Sequence, residues 1–294
     1  MLLAKILFKV IVFLPYSIQC VLRKNVVYLN AHINKKVFLK KGYNFGDDLN
    51  YIFLRKIIKE YGAIYNWNLF SKFINTDNYL CVGSIIESRC NSKSIIWGSG
   101  CISYDKPFIK PKKVLAVRGP LTRKRLLDAG VYCPEIYGDP ALLLPLFYKP
   151  NVQKKYKIGI IPHYVDKYSS CIDYARCMNV KIIDIQNYND FKYLVDQVNE
   201  CEIILSSSLH GIIVSDAYGI PNVWIELSND IVGGRFKFYD YFLSVNRNIY
   251  QPIQIKTESD ILKIINKEVQ YVKPVINLDG LMNSCPFQLL DIQL

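Results

Sequence analysis

The sequence predicts an α/β protein built as two Rossmann-like halves, each with a parallel sheet. Three observations predict it. Short apolar runs of strand type recur along the chain, separated by loops and helical patterns, which is the order of a parallel sheet. These runs end at small or polar groups, so their ends should gather along one edge. Near the middle, Leu144 to Tyr156 breaks the periodicity with two prolines and a basic polar run. The expected organisation is an apolar or amphipathic segment over 1–24, a first Rossmann-like domain over 25–148 and a second over 149–294.

Composition narrows the function. With 294 residues and 51% hydrophobic content, the chain can bury one large α/β domain or two of ordinary size. Its formal net charge of +12, from 37 Lys and Arg against 25 Asp and Glu, favours acidic partners. Phosphorylated small molecules and anionic lipid surfaces fit that charge. No nucleic acid is expected, because no helix-turn-helix, RNP or zinc-finger pattern accompanies the lysines. The nine Cys are scattered without CxxC pairing, which reads as reduced thiols in a cytoplasmic protein. His32, His163 and His210 lie far apart and give no metal signature.

Taken in order, Met1 to Leu22 is apolar but carries Lys5, Lys9 and Pro15. It has no defensible signal cleavage site, and two lysines sit inside a run that barely reaches spanning length. It reads either as an amphipathic helix, peripheral at the inner face of a membrane, or as a first helix packed on the domain. Val26–Leu29 and Val37–Leu39 read as strands, followed by a glycine-containing loop from Lys40 to Asn50. Asn44 or Asp47 can cap the helix that carries Leu49, Ile52, Phe53, Lys56, Ile57 and Glu60. The loop lacks GxGxxG, so no dinucleotide is indicated. Tyr79–Val82, Ser94–Trp97, Val114–Val117 and Ile136–Tyr137 read as further strands, and Leu121–Ala129 as a helix ended by Gly130. Arg118 follows one strand, where a guanidinium can grip a carboxylate or phosphate, or simply form a salt bridge.

The second half begins with a strand over Lys157–Ile161 that ends at Pro162-His163. A helix over Cys171–Met178, a strand over Lys181–Ile185 and a helix over Asp190–Asn199 follow. Ile203–Leu205 then stops at Ser206, Ser207 and Ser208, before Leu209, His210 and Gly211 open a helical pattern ended by Gly219 and Pro221. Such a strand–turn–helix aims free N–H groups at an anion, and His210 sits where a proton can be moved. The serines equally suit a helix cap, and a lone histidine equally suits a buried site. Asn222–Leu227 reads as a buried strand. Ile231 to Phe242 reads as a glycine-hinged loop with Arg235 and Lys237 beside it, its aromatics core or interface. Ser259–Val272 is the last expected helix.

Five pieces together resemble the polysaccharide pyruvyl transferase family. They are Gly42-Tyr43-Asn44-Phe45-Gly46-Asp47-Asp48, Trp97-Gly98-Ser99-Gly100, Val117-Arg118-Gly119-Pro120-Leu121-Thr122, Gly138-Asp139-Pro140-Ala141 and Ser207-Ser208-Leu209-His210-Gly211. The resemblance implies a GT-B-like pair of domains with an interdomain cleft. It also implies transfer of a pyruvyl group from phosphoenolpyruvate to sugar hydroxyls of a surface polysaccharide, with no cofactor and no metal. His210 matches the motif histidine and is the implied general acid; Arg118 matches a donor-binding arginine. Ser207, Ser208 and Leu209 fall on the donor side. Some members carry arginine where this chain has Ser208, a gap that Arg235 or Lys237 is positioned to fill. Asn44, Asp47, Asp139 and Ser99 are candidates for the acceptor side or the cleft wall. The acceptor would be an oligosaccharide or a lipid-linked saccharide. Two other readings share the pattern: a GT-B glycosyltransferase using a nucleotide sugar, and a non-catalytic glycan-binding component of an assembly complex.

Overall fold

The computed structural model describes residues 14–23, 25–34, 43–65, 76–176, 180–188, 190–228, 230, 233–249, 251–266 and 271–291. The expected strand at Val37–Leu39, the motif glycine Gly42, the hinge residues Ile231 and Val232, and most of the apolar N-terminal run with Lys5 and Lys9 lie outside them.

The chain folds into two α/β units with five parallel strands each. The first sheet contains β1 (Val26–Leu29), β2 (Tyr61–Ile64), β3 (Asn78–Leu80), β4 (Ser94–Trp97) and β5 (Lys113–Ala116), in the order β2-β1-β3-β4-β5. The second contains β6 (Tyr156–Ile161), β7 (Lys181–Ile182), β8 (Cys201–Ser206), β9 (Asn222–Glu226) and β10 (Ile253–Gln254), in the order β10-β9-β8-β6-β7. Each sheet counted from its own first strand therefore runs 2-1-3-4-5. Strand order reverses between the first and third strands, and open α/β sheets hold ligands beyond that switch point. Here the switch points lie between β1 and β3 and between β6 and β8.

Ile136–Tyr137 is no strand of the sheet; Tyr137 forms a single parallel bridge with Val117. Helix α1 (Leu14–Leu22) turns Cys20 into a small cluster with Tyr28 and Ala63, so its described part packs on the first sheet. Its opposite side leaves Leu14, Ile18, Val21 and Leu22 exposed. Among the described residues no helix is long and apolar enough to cross a membrane. Helix α2 starts at Phe45–Leu49, passes through a π-helical stretch Asn50–Leu54 and ends at Arg55–Ile57. Helices α3 (Ile86–Arg89) and α4 (Pro120–Asp128) complete the first unit.

A 3-10 turn at Pro140–Leu143 and α5 (Leu144–Phe147) lead to the second unit. There α6 (Ser170–Arg176), α7 (Phe191–Asn199), α8 (Leu209–Ala217), α9 (Phe236–Ser244) and α10 (Glu258–Asn266) cover the sheet. Gly219, with φ of +67°, ends α8 in the left-handed region a side chain disfavours. The stretch from Phe236 is helix, not hinge loop; among the described residues a turn over Gly233, Gly234 and Arg235 leads into it. Helix α11 (Asp279–Asn283) and the chain after it return to the first unit. Trp97 donates its indole N–H to the Leu281 carbonyl at 2.9 Å, and Phe287 packs on Tyr79 and Trp97.

One apolar core runs through both units. Phe53 meets Phe191 with ring centroids 5.4 Å apart, and Phe45 meets Tyr188 at 5.3 Å. Burying a side chain such as Phe53 contributes roughly 1.5–3 kcal/mol. A polar tie crosses the same seam. The fully buried Arg118 donates from Nε to Asp240 Oδ2 at 3.0 Å, from Nη2 to the Cys101 carbonyl at 2.7 Å and from Nη1 to Ser84 Oγ. The other Asp240 oxygen accepts the Thr122 N–H at 2.8 Å. Gly119 permits this approach, because any side chain there would overlap the Asp240 carbonyl.

Removing one member of a buried ion pair strands its partner and costs about 3–5 kcal/mol. Asp240→Ala should lower stability by that amount in thermal or denaturant unfolding. A loss under about 1 kcal/mol, the size of an exposed pair, would contradict the structural role assigned to it.

Candidate functional site

A cavity of about 470 Å³ lies where the two sheets present their strand ends. From the first unit it is lined by His32, Asn44 and Asp47 after β1, by Ser84, Glu87 and Ser88 after β3, and by Ile102, Lys106 and Pro107 after β4. From the second it takes His163 and Tyr164 after β6, Ser208, Leu209 and His210 after β8, and Lys237 after β9. Both switch points therefore open on one space. The size falls in the range that encloses a drug-sized ligand.

The turn after β8 is held by its own serines. Ser206 Oγ accepts the Ser208 N–H at 3.1 Å. Ser207 Oγ accepts the His163 N–H at 2.8 Å and donates to Asp166 at 3.3 Å. Ser207 thus fixes the neighbouring strand end and is not among the lining residues. Ser208 occupies the N-cap position of α8, but its side chain makes no cap bond and faces the cavity instead. The first amides of α8 have no partner inside the helix and carry partial positive charge.

His210 sits in the first turn of α8. Its Nε2 is buried, has no hydrogen-bond partner among the described residues, and lies 3.7 Å from Asp139 Oδ2. Asp139 is anchored by its other oxygen, which accepts the Ala141 N–H at 2.9 Å at the start of the 3-10 turn. The ring packs flat against Gly46, where a methyl group would overlap it. Two motifs more than a hundred residues apart thus share one contact.

Asn44 and Asp47 open α2. Asn44 makes no cap bond; its amide donates to Asp47 Oδ2 at 2.7 Å. Asn50 orients this turn from within the π-helical stretch, donating to the carbonyls of Asp47 and Val82, both at 2.9 Å. Asp48 does not reach the cavity. It accepts from the Tyr43 and Asn44 amides and from the Tyr188 hydroxyl, pinning the turn to the second unit. Burial pushes the Asp47 carboxyl above the usual range, opposed by His210, Asn44 and Lys237.

Of the expected donor-side cations, Lys237 alone lines the cavity. It is 9% exposed, and burial together with the charge of Arg118 pushes its pKa down to about 8, against the pull of Asp47. Arg235 pairs with Glu226 at 2.7 Å, away from the lining. Arg118 stands behind the wall, where it donates to the hydroxyl of the lining residue Ser84. Ser99 is buried outside the lining, its hydroxyl without a partner among the described residues.

The sequence reading missed His163. It is 8% exposed, packs on Tyr164 with centroids 4.3 Å apart and ring planes tilted by 34°, and leaves Nδ1 without a partner among the described residues. Burial and Lys237 push its pKa down to about 3, so the ring is neutral at physiological pH. Its place after the β6 run was the available signal. Among the described residues no three His, Cys, Asp or Glu side chains are grouped to hold a metal.

The family model for polysaccharide pyruvyl transferases matches residues 22–229. The chain belongs to the polysaccharide pyruvyl transferase family. It is similar to the uncharacterized protein L143 of Acanthamoeba polyphaga mimivirus, with 33% identity over 58% of this chain and 61% of the relative. It is also similar to the succinoglycan biosynthesis protein ExoV of Rhizobium meliloti (strain 1021), with 27% identity over 67% of this chain and 60% of the relative. The matched part spans about three fifths of each of these relatives. No solved structure matches the chain.

Gly46→Ala tests the His210 placement directly. Alanine suits a helical first turn better than glycine, so the variant should stay folded while the imidazole is displaced. NMR of the histidine ring should report a changed environment for His210 in a protein of undiminished melting temperature. An unaltered ring signal would contradict the packing described.

Proposed function

We propose that this family member transfers a pyruvyl group from phosphoenolpyruvate to two hydroxyls of one acceptor sugar, forming a ketal. The observation that carries the reading is the convergence of His210, backed by Asp139, with Lys237 and a neutral His163 on one cavity. On this reading the two Rossmann-like units form a GT-B-like pair, divided near residue 148, with the cavity as the cleft between them.

The donor carries a carboxylate and a phosphate. Lys237, the first amides of α8 and the His163 ring supply a cationic and hydrogen-bonding grip. Lys237 takes the place of the arginine that some members carry at the Ser208 position. Arg118 adds charge from behind, and the Ser84 hydroxyl that accepts from it is left to donate into the cavity.

Protonated His210 gives a proton to C3 of the enol, turning the methylene into a methyl group and leaving C2 electron-poor. With Nε2 turned to Asp139, Nδ1 is the nitrogen that serves the donor, and the carboxylate stabilises the imidazolium before transfer. A sugar hydroxyl bonds to C2 while Asp47 takes its proton; the raised carboxyl pKa suits a base. The C2–O bond to phosphate then breaks, and phosphate leaves with the electron pair. The second hydroxyl bonds to C2 and its proton goes to the phosphate. Asp47 hands its proton back toward His210, so no net proton is lost from the site.

The acceptor on this reading is a free or lipid-linked saccharide, and the work is done on the cytoplasmic side. The exposed row of Leu14, Ile18, Val21 and Leu22 supports peripheral contact with the inner membrane face.

His210→Asn should remain folded and lose about 10²–10⁴-fold in phosphate release from phosphoenolpyruvate with acceptor present. Near-normal turnover in a folded variant would remove the assignment. Lys237 is charged below about pH 8 and loses its charge as pH rises through that value. The donor kcat/KM, which reports ionisations of the free enzyme, should fall on the alkaline side. Lys237→Arg should carry that fall to higher pH, since arginine stays charged. An identical alkaline limb in the variant would show that another group sets it.

A further inference from the structure

The cavity is larger than its donor end requires. A three-carbon phosphorylated acid seated on α8, His163 and Lys237 leaves free the end edged by His32, Ser88, Lys106 and Pro107. Within it, His32 and Ser88 follow the switch-point strands β1 and β3, and Lys106 and Pro107 follow β4. None of its residues belongs to the proton-transfer set around His210.

Its polar edge is ordered by a hydrogen-bond chain. Arg89 donates to His32 Nδ1 from Nε at 3.1 Å and lies 2.7 Å from it through Nη2. A guanidinium has no acceptor, so His32 Nδ1 must carry the lone pair and Nε2 the proton. His32 Nε2 is 2.7 Å from Ser88 Oγ and therefore donates to it. Ser88 has one acceptor position filled and its O–H remaining. The only carbonyl it meets among the described residues is Ile85, at a long 3.3 Å. Burial and the Arg89 charge push His32 down to about 4, so the ring stays neutral near pH 7 and the direction of the chain does not reverse. Every link runs from the cation outward, each bond polarising the next. The end product is an O–H donor held at an exposed side chain on the cavity rim.

We infer that this end of the cavity is a saccharide subsite, in which the Ser88 hydroxyl, oriented by His32 and Arg89, donates to an oxygen of the acceptor sugar. The inference rests on the proposed transfer of a pyruvyl group. A hydroxyl that accepts from Ser88 must turn its own proton elsewhere. Asp47, close enough to Arg89 to feel its charge, is the carboxylate available to take it. Ser88 then selects which sugar hydroxyl faces the base. Ser88 touches substrate; His32 and Arg89 are positioning residues that act through it. Lys106 and Pro107 form the open rim, where further sugar units would leave the cavity.

The test uses the full chain and a panel of methyl hexopyranosides with all ring hydroxyls free. Binding is read by ligand-observed NMR in the presence of phosphoenolpyruvate, and turnover by phosphate release. Ser88→Ala should weaken glycoside binding and raise its KM about three- to tenfold, the size of one hydrogen bond, with donor KM unchanged. Ser88→Thr should restore most of it. His32→Ala should reproduce the Ser88→Ala effect, and His32→Gln, which can accept from Arg89 and donate to Ser88, should recover part. Unchanged glycoside binding in Ser88→Ala would overturn the subsite, as would a raised donor KM. Absence of glycoside binding by the unaltered protein would do the same. Glycoside binding that is Ser88-dependent, with no consumption of phosphoenolpyruvate, would sustain the subsite and sink the transfer reaction instead.

Discussion

The Arg118–Asp240 pair is the tie on which the site's geometry depends. Asp240 lies one helical turn after Lys237 on α9, so anchoring its carboxylate to Arg118 and Thr122 sets where Lys237 points. The same guanidinium reaches Ser84 and the Cys101 carbonyl, fixing two strand-end loops of the first sheet. A buried pair of this kind adds little net stability over an apolar substitute. Its value here is positional, since it registers one unit against the other to within a hydrogen-bond length.

Around that tie the motifs act on one another. Gly46 is small so that His210 can lie on it, and Gly119 so that Asp240 can come close. Asp139 caps one turn with one oxygen and faces His210 with the other. Asp48 holds the Asn44 turn to Tyr188 of the other unit. The shared apolar core then makes the relation between the sheets stiff, because interiors packed at crystal-like density resist shear. Chemistry at the strand ends is thus prepared by contacts that lie mostly behind the cavity wall.

Much of the fold was legible in the sequence. The buried strands β1, β3, β4, β6, β8 and β9 show as apolar runs, because strands covered on both faces need no alternation. Of the edge strands, β5 and β7 showed as Val114–Val117 and Lys181–Ile185, whereas β2 and β10 did not. Tyr61–Ile64 includes a glycine, and Ile253–Gln254 is two exposed residues. For the site, His210 and Asp47 were legible because strand-to-helix turns mark them. Arg118 was legible as an anion grip or a salt bridge, but its partner was not, since Asp240 is 122 positions away and no local pattern encodes that. His163 and His32 follow strands, yet they gain meaning only from Ser207, Lys237, Arg89 and Ser88, brought in by other elements. The glycine pair before α9 suggested a hinge, while the burial of Lys237 on a helix was invisible until the units were placed together.

The central claim is that one imidazole, His210, delivers a solvent-derived proton to C3 of a phosphorylated enol donor. The most direct measurement is transfer run in deuterium oxide with phosphoenolpyruvate and a saccharide acceptor, followed by mass spectrometry of the product. The account predicts a ketal whose methyl group has gained a single deuterium, formed together with inorganic phosphate and lost in His210→Asn. Modification of the saccharide that consumes a nucleotide sugar and ignores phosphoenolpyruvate would contradict it.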